Sequence, residues 1–232
     1  MSIKRKYLHI NSIDRDTSSS STSDFKILLK YAIDCKKCKL IQATIPNSYF
    51  NITDKNNTVL LNGVPSQIDI GCYTFDELVS ALSGFFASVI FDDRNCRIII
   101  GLSSSQTLSF PQPNTFYGSM HEILGFSQYY SVTSNTHVSS SGPSLDQYSL
   151  FINISELSNN YMTSNYKNST FEIVNNVNKN GIIFFSSMTQ FDQSINERDV
   201  NLPLSYLNIK VLDIYGDVVQ HLPNWSMTLA FY

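Results

Sequence analysis

The sequence predicts an all-β fold, a two-sheet sandwich, on three observations. Apolar residues recur at every second position in several separate runs, turn signals fall between those runs, and one stretch alone has convincing helical periodicity. Charged residues make up only 15% of the 232 positions, and Ser, Asn and Thr fill the polar sites instead. Those side chains compete for backbone hydrogen bonds, which favours turns and exposed strand faces over long helices. With 42% hydrophobic and 12% aromatic residues the chain has material for a sizeable core, since chains of this length bury roughly 70–75% of their unfolded surface.

Taken in order, residues 1–23 read as an N-terminal arm, and residues 24–232 as one β domain. The arm has a basic start at Lys4, Arg5 and Lys6, the phrase His9 to Asp16, and a closing Ser18 to Ser23 stretch with nothing to bury. Removing it is expected to leave the fold intact. In the first strand Phe25, Ile27, Leu29, Tyr31 and Ile33 take alternate positions, with Lys26, Lys30 and Asp34 between them. The second strand, Lys39 to Ile45, sets Ile41, Ala43 and Ile45 on one face, and Pro46 removes the donor a longer ladder needs.

Val59 to Leu61 and Gln67 to Ile70 flank Asn62-Gly63, a pair suited to positive φ and a tight hairpin. Pro65 marks the second partner as an edge. A helix near 74–88 follows from the capping-box spacing of Thr74 and Glu77 and from the apolar face of Leu78, Val79, Leu82, Phe85, Phe86 and Val89. Asp92 to Asn95 joins Val89–Phe91 to Arg97–Ile100 as a second hairpin, and a helical turn over Ser119–Leu124 stops at Gly125. From 127 to 147 the composition predicts a long exposed loop.

Strands resume with Tyr148, Leu150, Ile152 and Ile154, then Phe171 and Ile173, then Ile182-Ile183-Phe184-Phe185. This last run is apolar on both faces and is expected to be central. Leu207, Ile209 and Val211 alternate, Tyr215-Gly216-Asp217 turns the chain, and Trp225, Met227, Leu229 and Phe231 alternate again. Eight or so strands with one or two short inserted helices make a single jelly roll the best fit.

Composition excludes several classes. A net charge of −3 gives no global attraction to phosphate, so specific nucleic-acid binding is not expected. No stretch approaches the roughly 20 consecutive apolar residues of a membrane helix. The charged start runs into β-patterned sequence and not into a signal-peptide core, so synthesis in the cytosol is expected. The sequons at Asn51, Asn56, Asn153, Asn168 and Asn224 then read as unglycosylated.

Catalytic signatures fail at particular residues. His121-Glu122 starts like a zinc-protease helix, but Gly125 stands where the second ligand is required. There is no nucleophile elbow and no phosphate-binding glycine loop. Cys35 and Cys38 have the spacing of a metal knuckle without its second half. On a strand they would lie about 10 Å apart on opposite faces, beyond the roughly 7 Å that a disulfide spans. Together with Cys72 and Cys96 they read as reduced structural thiols. Asp14-Arg15-Asp16 has two carboxylates for a hard cation, but reads first as turn formers or a contact to a neighbour. Neither a metal nor a cofactor is expected. Tyr129-Tyr130, Tyr161 and Tyr166 offer aromatic faces for a sugar or for a protein interface.

The phrases His9-Ile10-Asn11-Ser12-Ile13-Asp14-Arg15-Asp16, Asp24-Phe25-Lys26-Ile27-Leu28-Leu29 and Lys39 to Ile52 are the first part of a wider pattern. Gly71 to Leu78, Ile123 to Phe126, Leu207 to Gly216 and Trp225 to Leu229 continue it in the same order. This pattern resembles the penton-type minor capsid proteins of virophages, polinton-like viruses and some large DNA viruses, over nearly the whole chain. The resemblance implies a jelly roll that forms a homopentamer at the icosahedral five-fold vertices of a virion. Its partners would be the surrounding major capsid capsomers and further minor capsid proteins. Some such proteins carry an extra domain in a loop, for which the sequence leaves room only between Ser127 and Asp146. On this reading Lys4, Arg5, Lys6, Asp14, Arg15 and Asp16 are the candidate contacts to capsid or packaged nucleic acid. The alternatives are a glycan- or receptor-binding attachment module and a cement protein between capsomers.

Overall fold

The computed structural model describes residues 5–113, 115–145, 149–158, 161–162, 168–187, 197–200 and 203–232. In chain order the elements are β1 (Lys6–Asn11), β2 (Asp24–Ile33), β3 (Lys37–Pro46), β4 (Thr58–Leu61), β5 (Val64–Gln67), α1 (Phe75–Leu82), β6 (Ser88–Asp92), β7 (Arg97–Ser109) and α2 (His121–Leu124). Then come β8 (Ser131–Val138), β9 (Ser149–Ile154), β10 (Tyr161–Met162), β11 (Asn168–Ser169), β12 (Phe171–Val174), β13 (Ile182–Ser186), β14 (Glu197–Asp199), β15 (Leu204–Leu212) and β16 (Ser226–Phe231). They form two compact units, one of residues 1–49 with 147–232 and the other of residues 50–146.

The first unit is the jelly roll. One sheet runs β1-β16-β3-β13, with β14 also on β3, and the other runs β2-β15-β9-β12. Along the chain these take turns, so that the first and last strands are neighbours in one sheet while β2 and β15 are neighbours in the other. That nesting of antiparallel pairs is the double Greek key of a jelly roll. The inward faces meet in a continuous core that includes Ile10, Phe25, Leu40, Ile45, Ile152, Phe171, Leu207, Ile209, Trp225 and Phe231.

Four expectations for this unit change. First, the arm is not free: residues 6–11 are β1, paired residue by residue with β16 from Lys6 opposite Phe231 to Asn11 opposite Ser226. The alternation of Leu8 and Ile10 makes this possible, and Ile10 is buried in the core. Residues 12–23 are tied to the segment before β16: the Trp225 indole donates to the Thr22 carbonyl at 2.7 Å, and the Ser23 hydroxyl to the Val219 carbonyl at 2.6 Å. Second, β3 changes face at a bulge opposite Thr228 and Leu229. Cys38 and Leu40 point inward before it, Ala43 and Ile45 after it, and Ile41 is left half-buried. Third, Tyr31 is exposed, because β2 bulges away from β15 between Leu28 and Ile33. Fourth, the run Ile182 to Phe185 is not central: among the described residues β13 is an edge strand, and Ile182 and Phe184 face outward.

The second unit holds a sheet of order β5-β4-β7-β6 with β8 also on β7. Its own core gathers Ile52, Val59, Leu78, Leu82, Ile98, Ile100, Leu108, Phe110, Met120 and Leu124. The tight turn forms as expected, with Asn62 at φ 51° and Gly63 at φ 79°, but the second strand starts at once, Leu61 pairing with Val64, and spans Val64–Gln67 instead of the expected Gln67 to Ile70. Thr74 accepts from the Glu77 amide at 3.3 Å and its own amide donates to Glu77 Oε2 at 2.6 Å, closing the capping box. The helix ends at Leu82, short of the expected 88, because Ser83-Gly84 follows. Gly125 caps α2 in the left-handed region at φ 73°.

Two expectations also change here. Within the expected 127–147 loop, residues 131–138 are strand β8, joined to β7 across a register shift between Gly101 and Gln106. Polar strands of this kind carry no hydrophobic alternation to read. The end of that loop, 146–148 with Tyr148, lies outside the described residues. Residues 50–146 form an inserted unit with a core of its own, whereas the sequence leaves room for an extra domain only between Ser127 and Asp146. The insertion was hidden because its strands share the period of the sandwich strands.

Candidate assembly surfaces

Arg15 and Asp16 of the N-terminal phrase bond within the chain. Arg15 donates from Nη1 to the Ser12 carbonyl at 3.0 Å and from Nε to the Ser19 carbonyl at 3.2 Å. Asp16 accepts from the Ser18 amide at 2.8 Å and its hydroxyl at 2.7 Å. These bonds hold the Asp16 carboxyl below the usual carboxylate range, the Ser18 amide contributing most. Asp14 sits exposed in a 3-10 turn over Ser12–Asp14. The segment braces the entry to β2. Among the described residues no group of three or more His, Cys, Asp or Glu side chains is placed to hold a metal ion.

Arg5 and Lys6 are exposed at the start of β1, and the Arg5 guanidinium lies 5.8 Å from the centre of the Tyr232 ring. Lys4 lies outside the described residues. Beside them the outer face of the β1 sheet carries an ionic network that the sequence did not reveal. Lys37 Nζ is 2.9 Å from Asp199 and 3.4 Å from Glu197, and the Tyr232 hydroxyl donates to Glu197. The bond from Tyr232 keeps the Glu197 carboxyl low, while burial and the carboxylate push the Tyr232 hydroxyl up to about 12. Cys38, next in the strand, is buried and its thiol is pushed up by desolvation, the opposite of an activated thiol. Cys35 falls in the β2–β3 connection, not on a strand, and all four cysteines are free thiols.

Two flanks of the jelly roll expose large apolar side chains. At one, β1 and β2 end their sheets. Leu29, Lys30, Tyr31 and Ala32 stand opposite Ser205 alone, and this bulge presents Leu28 at 62% and Tyr31 at 75% exposure. Tyr206 adjoins Leu28 across the ladder, its ring 4.1 Å from Lys26 Nζ. At the other flank the edge strands β12 and β13 lie against each other. Here Val174, Ile182 and Phe184 are exposed, at 59%, 60% and 62%. On β12 the Glu172 carboxylate accepts from the Ser149 hydroxyl at 2.7 Å, and Lys179 lies in the connection between β12 and β13. The sequence signals these residues as a tyrosine at an alternating position of β2 and as a two-faced apolar run, patterns that by themselves predict the interior.

In the inserted unit the aromatic residues split into two sets. Phe110, Phe126, Tyr130 and His137 stack inward, with ring centres 5.4 Å apart for Phe110–Phe126 and 4.8 Å for Phe126–Tyr130. The Tyr130 hydroxyl bonds His137 Nδ1 at 3.0 Å. Outward stand Phe116, 94% exposed and edge-on to Tyr117, and Tyr129. Gln112 Nε2 donates to the Gln128 carbonyl at 3.2 Å, which ties the two outward loops together. Of the tyrosines considered for sugar stacking, Tyr129 is therefore free to act and Tyr130 is committed to the core. The Tyr161 side chain and Tyr166 lie outside the described residues.

No family model matches the chain, and no curated protein matches it. Among solved structures it is similar to the mavirus penton protein, with a TM-score of 0.51 and 10% identity, the alignment covering 98% of each chain. A chain from the structure of the Sputnik virophage aligns over 99% of this chain and 98% of its own, at 11% identity and a TM-score of 0.37. At such identities the first likeness establishes a shared fold and the second adds nothing to it.

Proposed function

We propose that this chain is a structural, non-catalytic protein of a viral capsid, a penton subunit whose copies close into a five-membered ring at the five-fold vertices. The observation that carries the reading is the end-to-end likeness to the mavirus penton protein, which spans the whole chain and not the sandwich alone. The double Greek key agrees with it, and so do two different apolar flanks on one sandwich, as a ring of identical heterologous contacts requires. Its location is the virion, and its neighbours are the capsomers around the vertex. Lys4, Arg5 and Lys6 supply a non-specific basic contact to packaged nucleic acid or to an acidic capsid surface. Of the acidic phrase, Asp14 remains exposed for a neighbour, while Arg15 and Asp16 hold its shape. Mass photometry of the purified chain is expected to show pentamers, and a density map of assembled particles to place it at the vertices. Vertices built from another protein would end the proposal.

A second reading attaches to the inserted unit. The exposed Phe116, Tyr117 and Tyr129 on tied loops suit attachment to a glycan or receptor. Binding on a glycan array that is lost in Phe116→Ala and Tyr129→Ala would support it, and a blank array would leave the structural role alone.

A further inference from the structure

We infer that the contact between adjacent copies is made by the β2 bulge of one copy seated on the β12–β13 edge of the next. Leu28, Tyr31 and Tyr206 enter from one side, and Val174, Ile182 and Phe184 receive them on the other. The inference rests on the capsid-ring reading and assigns residues to its interface.

Three observations select a second copy of this chain as the occupant. The two apolar sets lie at opposite ends of the sheets, so neither covers the other within one molecule. They differ in shape, a projecting bulge against a pair of flat edges, so the contact is heterologous and repeats in one direction until rotation closes it. Lys26 and Lys30 flank the bulge, and Glu172, two positions before Val174 on β12, offers them a carboxylate on a receiving side that also carries Lys179.

Exposed edges are ordinarily protected by lysine, proline or a bulge. The edge strand β13 reads Ile-Ile-Phe-Phe-Ser and has none of these. Left open, such an edge is a site of indiscriminate pairing, and a specific partner removes that hazard. The area is also adequate. Aromatic and large aliphatic side chains between about a third and three-quarters exposed offer on the order of 100 Å² each. The six together supply about 600 Å², over half of the roughly 1,000 Å² that a specific contact needs, and the backbone and flanking side chains of the bulge and edge supply the remainder.

The test uses the full chain in three forms: the natural sequence, Leu28→Asp with Tyr31→Asp, and Ile182→Asp with Phe184→Asp. Each variant alone is expected to be monomeric by mass photometry at concentrations where the natural chain forms rings. An equimolar mixture is expected to give one-to-one dimers, since one live bulge meets one live edge and the chain then stops. Dimers on mixing also show that both variants are folded. Should an aspartate variant fail to fold, Tyr31→Ser and Phe184→Ser are each expected to raise the concentration at which rings dissociate at least tenfold. Rings that persist in either variant overturn this contact and leave the capsid reading standing. A natural chain that stays monomeric in solution and is absent from vertices overturns both.

Discussion

Ser12 and Trp225 bind each other through both backbone and side chain. The Ser12 amide donates to the Trp225 carbonyl at 2.9 Å, and the Trp225 amide donates back to the Ser12 hydroxyl at 2.9 Å. Both residues are buried, so this closed pair satisfies polar groups that water does not reach. It sits where β1 leaves the sheet, and it links residues 213 apart in sequence.

The first prediction concerns this bridge. Replacing Ser12 with Ala removes the acceptor and strands a buried amide, at a cost of about 1–3 kcal/mol. Deleting residues 1–23 removes a whole strand and with it the burial of Ile10, worth about 1.5–3 kcal/mol by itself. Urea unfolding is expected to show a lower midpoint for Ser12→Ala and loss of the cooperative transition for the deletion. A deletion variant as stable as the full chain would mean that β1 adds nothing to the sandwich.

Gly118 passes so close to another strand of backbone that a Cβ there would sit 2.0 Å from the Lys55 carbonyl carbon. Gly118→Ala must therefore displace main chain and break the bond from the Thr58 amide to the Gly118 carbonyl, 3.0 Å long. At Gly63 an added Cβ meets nothing within 4 Å, and only the positive φ of 79° opposes it, a cost of about 1 kcal/mol. Thermal melts are expected to place Gly118→Ala well below Gly63→Ala.

The capping box gives a smaller effect. Thr74→Ala loses the side-chain acceptor for the Glu77 amide, and caps of this type are worth about 1 kcal/mol. Hydrogen exchange is expected to speed up across Phe75–Leu82 with the jelly-roll strands unaffected.

His137 is expected to make the inserted unit sensitive to acid. Its ring is fully buried, Nδ1 is held by Tyr130, and burial lowers its pKa from the usual 6.5, with the carbonyls of Ser134 and Gln106 partly offsetting this. His121 is shifted the same way by burial, against the opposing pull of Glu122. A histidine kept neutral in the fold binds protons more readily when unfolded, so its stabilisation is complete above pH 6.5 and is lost as the pH falls below that value. Melting curves of the natural chain are expected to drop between neutral pH and pH 5, and to drop less in His137→Asn. A stability that is flat across that window would remove His137 from this role.

The strands were legible because their signal is local. Phe25 and Ile27, Leu207 to Val211, and Met227 with Leu229 each alternate within one segment, and one buried face explains them. The Asn62-Gly63 turn, the Thr74–Glu77 box and the Gly125 cap are also local, fixed by backbone conformation and by hydrogen bonds over three or four residues. The candidate contacts were less legible. Arg15 and Asp16 bond within their own turn, while Tyr31 and Phe184, which alternation predicts inside, are exposed, because alternation reports that a side chain is apolar and not what covers it.

By itself, then, the sequence determined the all-β class and the strand-and-turn rhythm, both of which depend on neighbours within a few positions. The tertiary structure alone decided three things: that residues 6–11 complete a sheet with the last strand, that residues 50–146 build a second core, and that β13 is an edge. Each depends on which strand lies beside which across long stretches of chain. A period of two is the same for a central strand, an edge strand and a strand of a separate unit, so only the pairing could tell them apart.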